Sequence, residues 1–287
     1  MRAEDARRER GPMPNMLRSM PADIARRVQA ISIVFLLILI GAVSAGAGQF
    51  SIQAKEVEID RPKGLVVARG GVRVTDGKVT LTSREMTLDQ NRRTGTFTGQ
   101  VRVVRPGEEL AAEVVIITLD AKNTVQQVTA RNGATVTTKD FLLSAREIQA
   151  MIDTETVVAS GNVRLLVPPD VLATAGRLTY TRKTQEAVLE GNPRVQSKDG
   201  YLSGERLTVW VQTQKALASG SVKGEVAGVR FSAAEARMDH KAKTVFLRGD
   251  VEIRGSTQQL RADSVTVYYG ERRMVAEGEV RIRASEE

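Results

Sequence analysis

The chain has 287 residues, 41% hydrophobic and 26% charged, with a formal net charge of +8. That composition excludes a disordered chain and suffices for one large domain or two small ones. The absence of cysteine and a single histidine exclude a disulfide scaffold, a CxxC centre and a His–His metal site.

Residues 1–27 are polar and Arg-rich, with Pro12, Pro14 and Pro21. Arg26 and Arg27 stand just before an apolar run, Ile31 to Ile40, and small residues follow from Gly41 to Gly48. Basic, apolar, then small is the order of an export signal, with cleavage after Ala45 or Ala47. The alternative is an uncleaved anchor, because Val28 to Gly48 holds 21 uncharged residues, enough to span a bilayer. Either form predicts an N-terminal hydrophobic helix in 1–48 and puts residues 50–287 outside the inner membrane. Met13, Met16 and Met20 are alternative starts.

Residues 1–45 carry seven Lys/Arg and four Asp/Glu, so +3, and the remainder carries +5 with both signs mixed. Charge of this kind leaves nucleic acid, anionic lipid and plain solubility open.

After residue 50 a period appears. Gly70, Gly99, Asn132, Gly161, Gly191, Gly220, Gly249 and Gly278 are separated by 29, 33, 29, 30, 29, 29 and 29 residues. With each of these positions as zero, −4, −2, +2 and +4 are mostly apolar and the odd positions mostly polar. This is the alternation of a strand with one dry and one wet face. The glycine is expected in the dry row, where a missing Cβ makes room for a bend.

A second strand precedes each glycine. Apolar residues stand at −18 (Leu81, Leu143, Leu202, Phe231, Leu260), small ones at −16 (Ser83, Ala145, Ala175, Gly204, Ala233, Ala262) and apolar pairs at −13 and −11. The dry face changes parity between −16 and −13, which requires a bulge or corner. Turn signals such as Asp60-Arg61-Pro62-Lys63-Gly64, Asp76-Gly77 and Pro106-Gly107 separate the strands. Eight units of about 29 residues predict about sixteen long strands and an all-β fold. Divided between two sheets at ~4.8 Å per strand, they would form a slab on the order of 40 Å long. Its narrow apolar interior would be lined by Val, Ala, Leu and Ile.

Chemistry-bearing constellations are missing from the sequence. No GxxxxGK[ST], GxSxG or HExxH occurs, so no catalytic, metal or cofactor residue is assigned. His240 stands alone. Glu108-Glu109 and Glu286-Glu287 are adjacent and would point to opposite strand faces, which does not suit shared acid–base work. Trp210 is out of phase with Leu207, Val209 and Val211 and is expected on the outer face. Basic and aromatic positions are not interleaved, which opposes nucleic-acid binding.

The strings VASGNVRL (Val158 to Leu165) and LEGNPRV (Leu189 to Val195) resemble the OstA-like repeat of the lipopolysaccharide transport family, LptA, LptC and the periplasmic part of LptD. The triplet Gly161-Asn162-Val163 matches that family's G-N-V signature, Gly191-Asn192-Pro193 is close to it, and the resemblance covers 52–287. It implies an open two-sheet β-jellyroll, a periplasmic location, no enzymatic activity, and lipid A held between the sheets. It also implies stacking by edge-strand pairing with the inner-membrane exporter and outer-membrane translocon, with self-association as the alternative partner of that edge. The inward residues that would line the lipid groove are Val66, Ala68, Val72, Val74, Val101, Val103, Val136, Val157, Val163, Leu165, Leu189, Val195, Leu207, Val209, Val222, Val245, Leu247, Val251, Ile253 and Val280. Arg69, Arg73, Arg102, Arg164, Arg194, Lys223 and Arg281 on wet faces could meet a phosphorylated head group at the open edge. Eight units are about twice the family's usual length. Two tandem jellyrolls, 50–167 and 168–287, divided at Pro168-Pro169-Asp170, or one continuous jellyroll, both fit. Outside this family, a structural β-solenoid without cargo fits the same pattern, and a glycan hydrolase fits it poorly because no paired carboxylates recur.

Overall fold

The computed structural model describes residues 51–198, 200–226, 228–271 and 273–284, so the hydrophobic N-terminal segment and its two fates lie outside the described residues. The described part is all β, without a helix: twenty strands in one antiparallel sheet. They are β1 (Ser51–Gln53), β2 (Glu56–Asp60), β3 (Leu65–Thr75), β4 (Thr80–Asp89), β5 (Thr94–Arg105), β6 (Glu108–Leu119), β7 (Val125–Thr138), β8 (Leu142–Met151), β9 (Thr156–Val167) and β10 (Val171–Thr181). There follow β11 (Glu186–Glu190), β12 (Arg194–Ser197), β13 (Gly200–Ser203), β14 (Arg206–Trp210), β15 (Lys215–Val226), β16 (Val229–Asp239), β17 (Thr244–Arg254), β18 (Gln258–Tyr268), β19 (Arg273–Glu277) and β20 (Arg281–Ala284).

Each strand pairs with its sequence neighbours, from β3 through β10 and from β15 through β18. Four pairs of short strands share one position each: β1 with β2, β11 with β12, β13 with β14, and β19 with β20. The twenty strands therefore occupy sixteen positions in a single meander. The turn at Pro168-Pro169-Asp170 joins β9 to β10, and these two pair with each other from Val167↔Val171 onward.

The bend in each strand has a specific cause. Arg69 faces Glu85 and Val72 faces Ser83, so Gly70 and Gly71 oppose the single residue Arg84. Two residues against one is a β-bulge. The same arrangement recurs at Gly99-Gln100 against Glu113, Gly161-Asn162 against Gly176, and Gly220-Ser221 against Ala234. φ is between +75° and +92° at the seven glycines of the row and +63° at Asn132. Left-handed backbone of this kind is open to glycine and next best to asparagine, which explains the one substitution the row contains.

These bulges align into a crease that divides every long strand into two halves. We call the halves before the glycine the first wing and those after it the second wing. Ala68, Met86, Phe97, Val115 and Ile148 of the first wing and Val72, Leu81, Val101, Leu110 and Leu143 of the second are all buried in one contiguous core. A fully buried Val, Leu or Ile side chain contributes about 1.5–3 kcal/mol, and the two wings supply these jointly. The small residues at −16 sit at the bend and are buried: Ser83, Ala112, Ala145, Ala175, Ala233 and Ala262.

Two expectations are corrected. Strands are not shared out between two sheets; every long strand crosses the crease and contributes to both wings. Sixteen positions at ~4.8 Å give a body on the order of 75 Å long, not 40 Å. The glycines also do not point inward. A Cβ on Gly99 would lie 2.7 Å from the Arg84 side chain and one on Gly161 2.8 Å from Arg146 Cβ, and both arginines are exposed on the outer side of the crease.

At Gly249, φ is +82° and an added Cβ would meet Ala234 Cβ at 2.7 Å, an atom that cannot swing away. Gly71 has φ +88° and open space around it. Gly249→Ala is expected to lower stability by about 1–3 kcal/mol. Gly71→Ala should lose only the left-handed backbone part, about 1–2 kcal/mol, and urea unfolding of both variants measures the difference.

Candidate functional site

The expected continuous apolar trough is found only in part. From β3 to β10 the wings meet and fill their own interior: Val72, Val101, Leu110, Val163, Leu165 and Leu178 are each 1–2% exposed. Beyond β10 the interior is filled around Val222, Val251 and Val265 but loosens locally. A cavity of about 160 Å³ opens between the wings, lined by Val195, Leu202, Leu207, Val209, Ala216, Ala218, Phe231, Met238, Val245 and Tyr269, among others. Its walls are almost wholly apolar.

The cause of the opening can be traced to one exchange of sizes. Position +4 is Val74, Val103, Val136, Leu165, Val195 and Ile253 in other units, but Gly224 here. Gly224 pairs with Phe231, which replaces the Leu81, Leu110, Leu143 or Leu260 of other units. A Cβ on Gly224 would lie 2.2 Å from the Phe231 ring. The ring thus lies where a branched side chain would otherwise fill the core, and a space remains beside it. The strands are also interrupted here, at Gly191-Asn192-Pro193 between β11 and β12 and at Gly204-Glu205 between β13 and β14.

Of the twenty residues assigned to the groove from sequence, Val195, Leu207, Val209 and Val245 line this cavity. Ala68, Val72, Val101, Val136, Val157, Val163, Leu165, Leu189, Val222, Leu247, Val251 and Ile253 are inward but buried in packed core. Val66, Val74 and Val103 are half-buried, and Val280 is 42% exposed near the C-terminal edge. Sequence reasoning did not single out Tyr201, Ala216, Ala218, Met238 or Tyr269. The Gly224/Phe231 exchange was the available signal.

The polar groups near the cavity are few. Tyr269 Oη donates to the His240 carbonyl at 3.3 Å and lies 3.2 Å from His240 Nδ1. Burial, with the charge of Asp239 adding to it, pushes the Tyr269 phenol above its ordinary pKa, so it stays neutral. His240 therefore anchors a turn. Among the described residues no cluster of His, Asp and Glu could hold a metal. Trp210 is on the outer face, where Nε1 donates to Glu186 at 2.7 Å. The basic residues expected at the open edge stand elsewhere. Arg69 belongs to the outer face of the first wing, and Arg73, Arg102, Arg164, Arg194, Lys223 and Arg281 to that of the second.

A single-sheet fold with an apolar interior is the setting for the comparisons with known proteins. The family model described as LptA/(LptD N-terminal domain) LPS transport protein matches residues 81–215 and 231–286. The chain belongs to this family. The match takes in β4 to β14 and β16 to β20, and leaves out residues 216–230, which hold nearly all of β15 and the turn after it. Among solved structures, LptH is similar: the LptA homologous periplasmic component of the lipopolysaccharide transport device from Pseudomonas aeruginosa. It is 19% identical, with 50% of this chain and 82% of that one covered, at a TM-score of 0.23. A likeness at that score does not say how the strands of the two proteins correspond. No curated protein sequence matches the chain.

The size exchange at the cavity is testable by a mutant cycle. Gly224→Val alone should cost about 1–3 kcal/mol by overpacking against Phe231. Combined with Phe231→Leu, which recreates the Val/Leu pair of other units, it should recover at least about 1 kcal/mol of that loss. Urea unfolding of the two single variants and the double variant provides the measurement.

Proposed function

We propose that this chain carries lipopolysaccharide across the periplasm, shielding lipid A acyl chains between its wings and bridging inner and outer membranes during outer-membrane assembly. The observation that carries the reading is the apolar cavity beyond β10, in a chain whose family transports lipopolysaccharide. Each methylene taken from water is worth about 0.8 kcal/mol, so an apolar lining supplies the affinity without a specific polar anchor. A lining that lacks such anchors also allows the cargo to move on.

The cavity is close in size to an engineered cavity of ~150 Å³ that admits benzene. It therefore accommodates part of one acyl chain, and a whole lipid A requires the wings to part. Met238 and the Phe231 ring are suited to repacking as they do so. The stretches 50–167 and 168–287 then differ in role: the first is a filled stem and the second holds the opening.

Both ends of the sheet support assembly by strand addition. β1 and β2 pair only with β3, and β19 and β20 only with β18, among the described residues. Ile52, Ile59, Val280 and Ile282 at these ends are 42–66% exposed. Unpaired backbone beside uncovered apolar side chains is a template for another strand. The partners in this reading are the inner-membrane exporter and outer-membrane translocon, or a second copy. The N-terminal segment would direct export, either cleaved, as in an LptA-like bridge, or retained as an LptC-like anchor.

A structural β-solenoid without cargo is favoured by one observation, the filled interior from β3 to β10. Photocrosslinking in living cells separates the readings. A photoreactive residue at Val195, Val209 or Val245 is expected to label with lipopolysaccharide, and one at Thr87, exposed on the outer face of the first wing, is not. Equal labelling at both faces, or none at either, would overturn the carrier.

A further inference from the structure

The basic residue three positions after the recurring glycine becomes a row on the outer face of the second wing. Strand register places Arg73 opposite Thr82 and Thr82 opposite Arg102. Further along, Ser144 faces Arg164, Arg164 faces Thr174, Thr174 faces Arg194 and Arg194 faces Ser203. Ser203 then faces Lys223 and Lys223 faces Ser232. Arg281 closes the row opposite Arg261, and Glu252, opposite Arg261, is its one carboxylate among the described residues. The cations stand on alternate strands, about 10 Å apart, except where Thr135 and Glu252 take the place. All six at position +3 are exposed. The row runs on the order of 70 Å.

The matching row on the first wing is different. There Arg69 faces Glu85, Arg131 faces Glu147 and Arg177 faces Glu190. Ion pairs close across it, Arg131–Glu147 at 2.8 Å and Arg206–Glu190 at 2.5 Å. Charge is neutralised in place on the first wing and only in part on the second. Arg102 reaches Glu109 at 3.4 Å, Arg261 reaches Glu252 at 3.1 Å, Arg281 reaches Glu279 at 3.2 Å, and Arg194 lies over the Tyr201 ring at 3.7 Å. Arg73, Arg164 and Lys223 have no ion-pair partner among the described residues. Each repulsion along the row is small, about 0.4 kcal/mol at 10 Å in water, so the row persists unliganded while presenting a line of positive potential.

We propose that this row binds an extended anionic polysaccharide, one bearing carboxylates or phosphates at intervals along a hydroxyl-rich chain. A line of cations complements a line of anions. Of the residues between the cations, Thr82, Ser144, Thr174, Ser203 and Ser232 carry small hydroxyls suited to sugar hydroxyls, and these and Ala111 are too short to obstruct the chain. Single-stranded nucleic acid would need aromatic platforms, and Tyr201, the aromatic beside the row, is covered by Arg194. A bilayer would need apolar side chains to sink into it. Leu142, Leu166 and Val104 are 36%, 41% and 42% exposed, but they flank only Arg164 and Arg102, and the row continues past them. The track lies on the opposite face of the wing from the apolar interior, so it stands independently of the lipid reading.

The test measures binding of the full chain to polygalacturonate and to dextran sulfate by calorimetry. Neutral dextran and phosphatidylglycerol–phosphatidylethanolamine vesicles serve as comparators. Both anionic polysaccharides should bind, weakening with salt, and dextran should not. R73Q/R102Q/R164Q/R194Q should lower affinity at least about tenfold. The same four positions as Lys should retain binding, which separates charge from folding. R69Q/R131Q/R177Q/R206Q removes equal charge from the first wing and should change affinity less than about twofold. Circular dichroism confirms the fold of each variant. If the first-wing set does not fold, the Gln and Lys sets at the second wing decide between themselves. Equal loss from both wings, no binding to either anionic polysaccharide, the same loss in the Lys and Gln sets, or tighter binding to the vesicles would overturn the proposal.

Discussion

The fold depends on one backbone event repeated along the chain: two left-handed or near left-handed residues on one strand set against a single residue on the next. A straight antiparallel meander of this composition would expose its dry face over its whole length. The bulge bends each strand at its middle, and aligned bulges crease the sheet so that its two halves cover each other. The burial that stabilises the protein is therefore contact between wings of one sheet, and it exists only because the bends stay in register. At six of the seven glycines a side chain from the neighbouring strand lies across the bend, such as Arg84 over Gly99 or Arg146 over Gly161, and helps hold that register from outside.

Much of this was legible in the residues. The recurring glycine, the small residue sixteen positions earlier and the parity change between −16 and −13 together predicted strand, corner and strand, and the structure has each. The matching in-and-out pattern came from alternation alone. Sequence could not say how the bent strands were distributed, because alternation shows which side of a strand is dry and not what lies against it. Eight strands in each of two sheets and sixteen bent strands in one sheet share the same pattern. The glycine was misplaced for a related reason. Alternation puts it in the dry row, but a positive φ rotates the residue out of that alternation.

The candidate site was legible only as a face. Twenty inward residues were named, and the four that line the cavity do not differ in type from those that are packed. What separates them is a neighbour's size on another strand, Phe231 against Gly224, which can be seen only once the register is known. The members of the cation row were legible as wet-face residues of the repeat, but their alignment was not. Arg73, Arg102, Arg164 and Arg194 are about thirty residues or more apart in sequence, and no window along the chain looks basic. The meander sets them side by side.

The crease leaves one problem that the fold cannot solve internally. An interior strand has its dry residues covered by the opposing wing and by strands on either side. Among the described residues, the first and last positions have neighbours on one side only. Ile59 and Ile282 are accordingly the most exposed large apolar residues at the two ends, at 64% and 66%. Adding more units moves these ends apart without covering them. Covering them requires a strand from outside, which would extend the hydrogen-bond ladder and the apolar interior in the same step. Continuity of the backbone and continuity of the interior are thus one requirement in this architecture. A partner that satisfied one edge would lengthen the space between the wings as well.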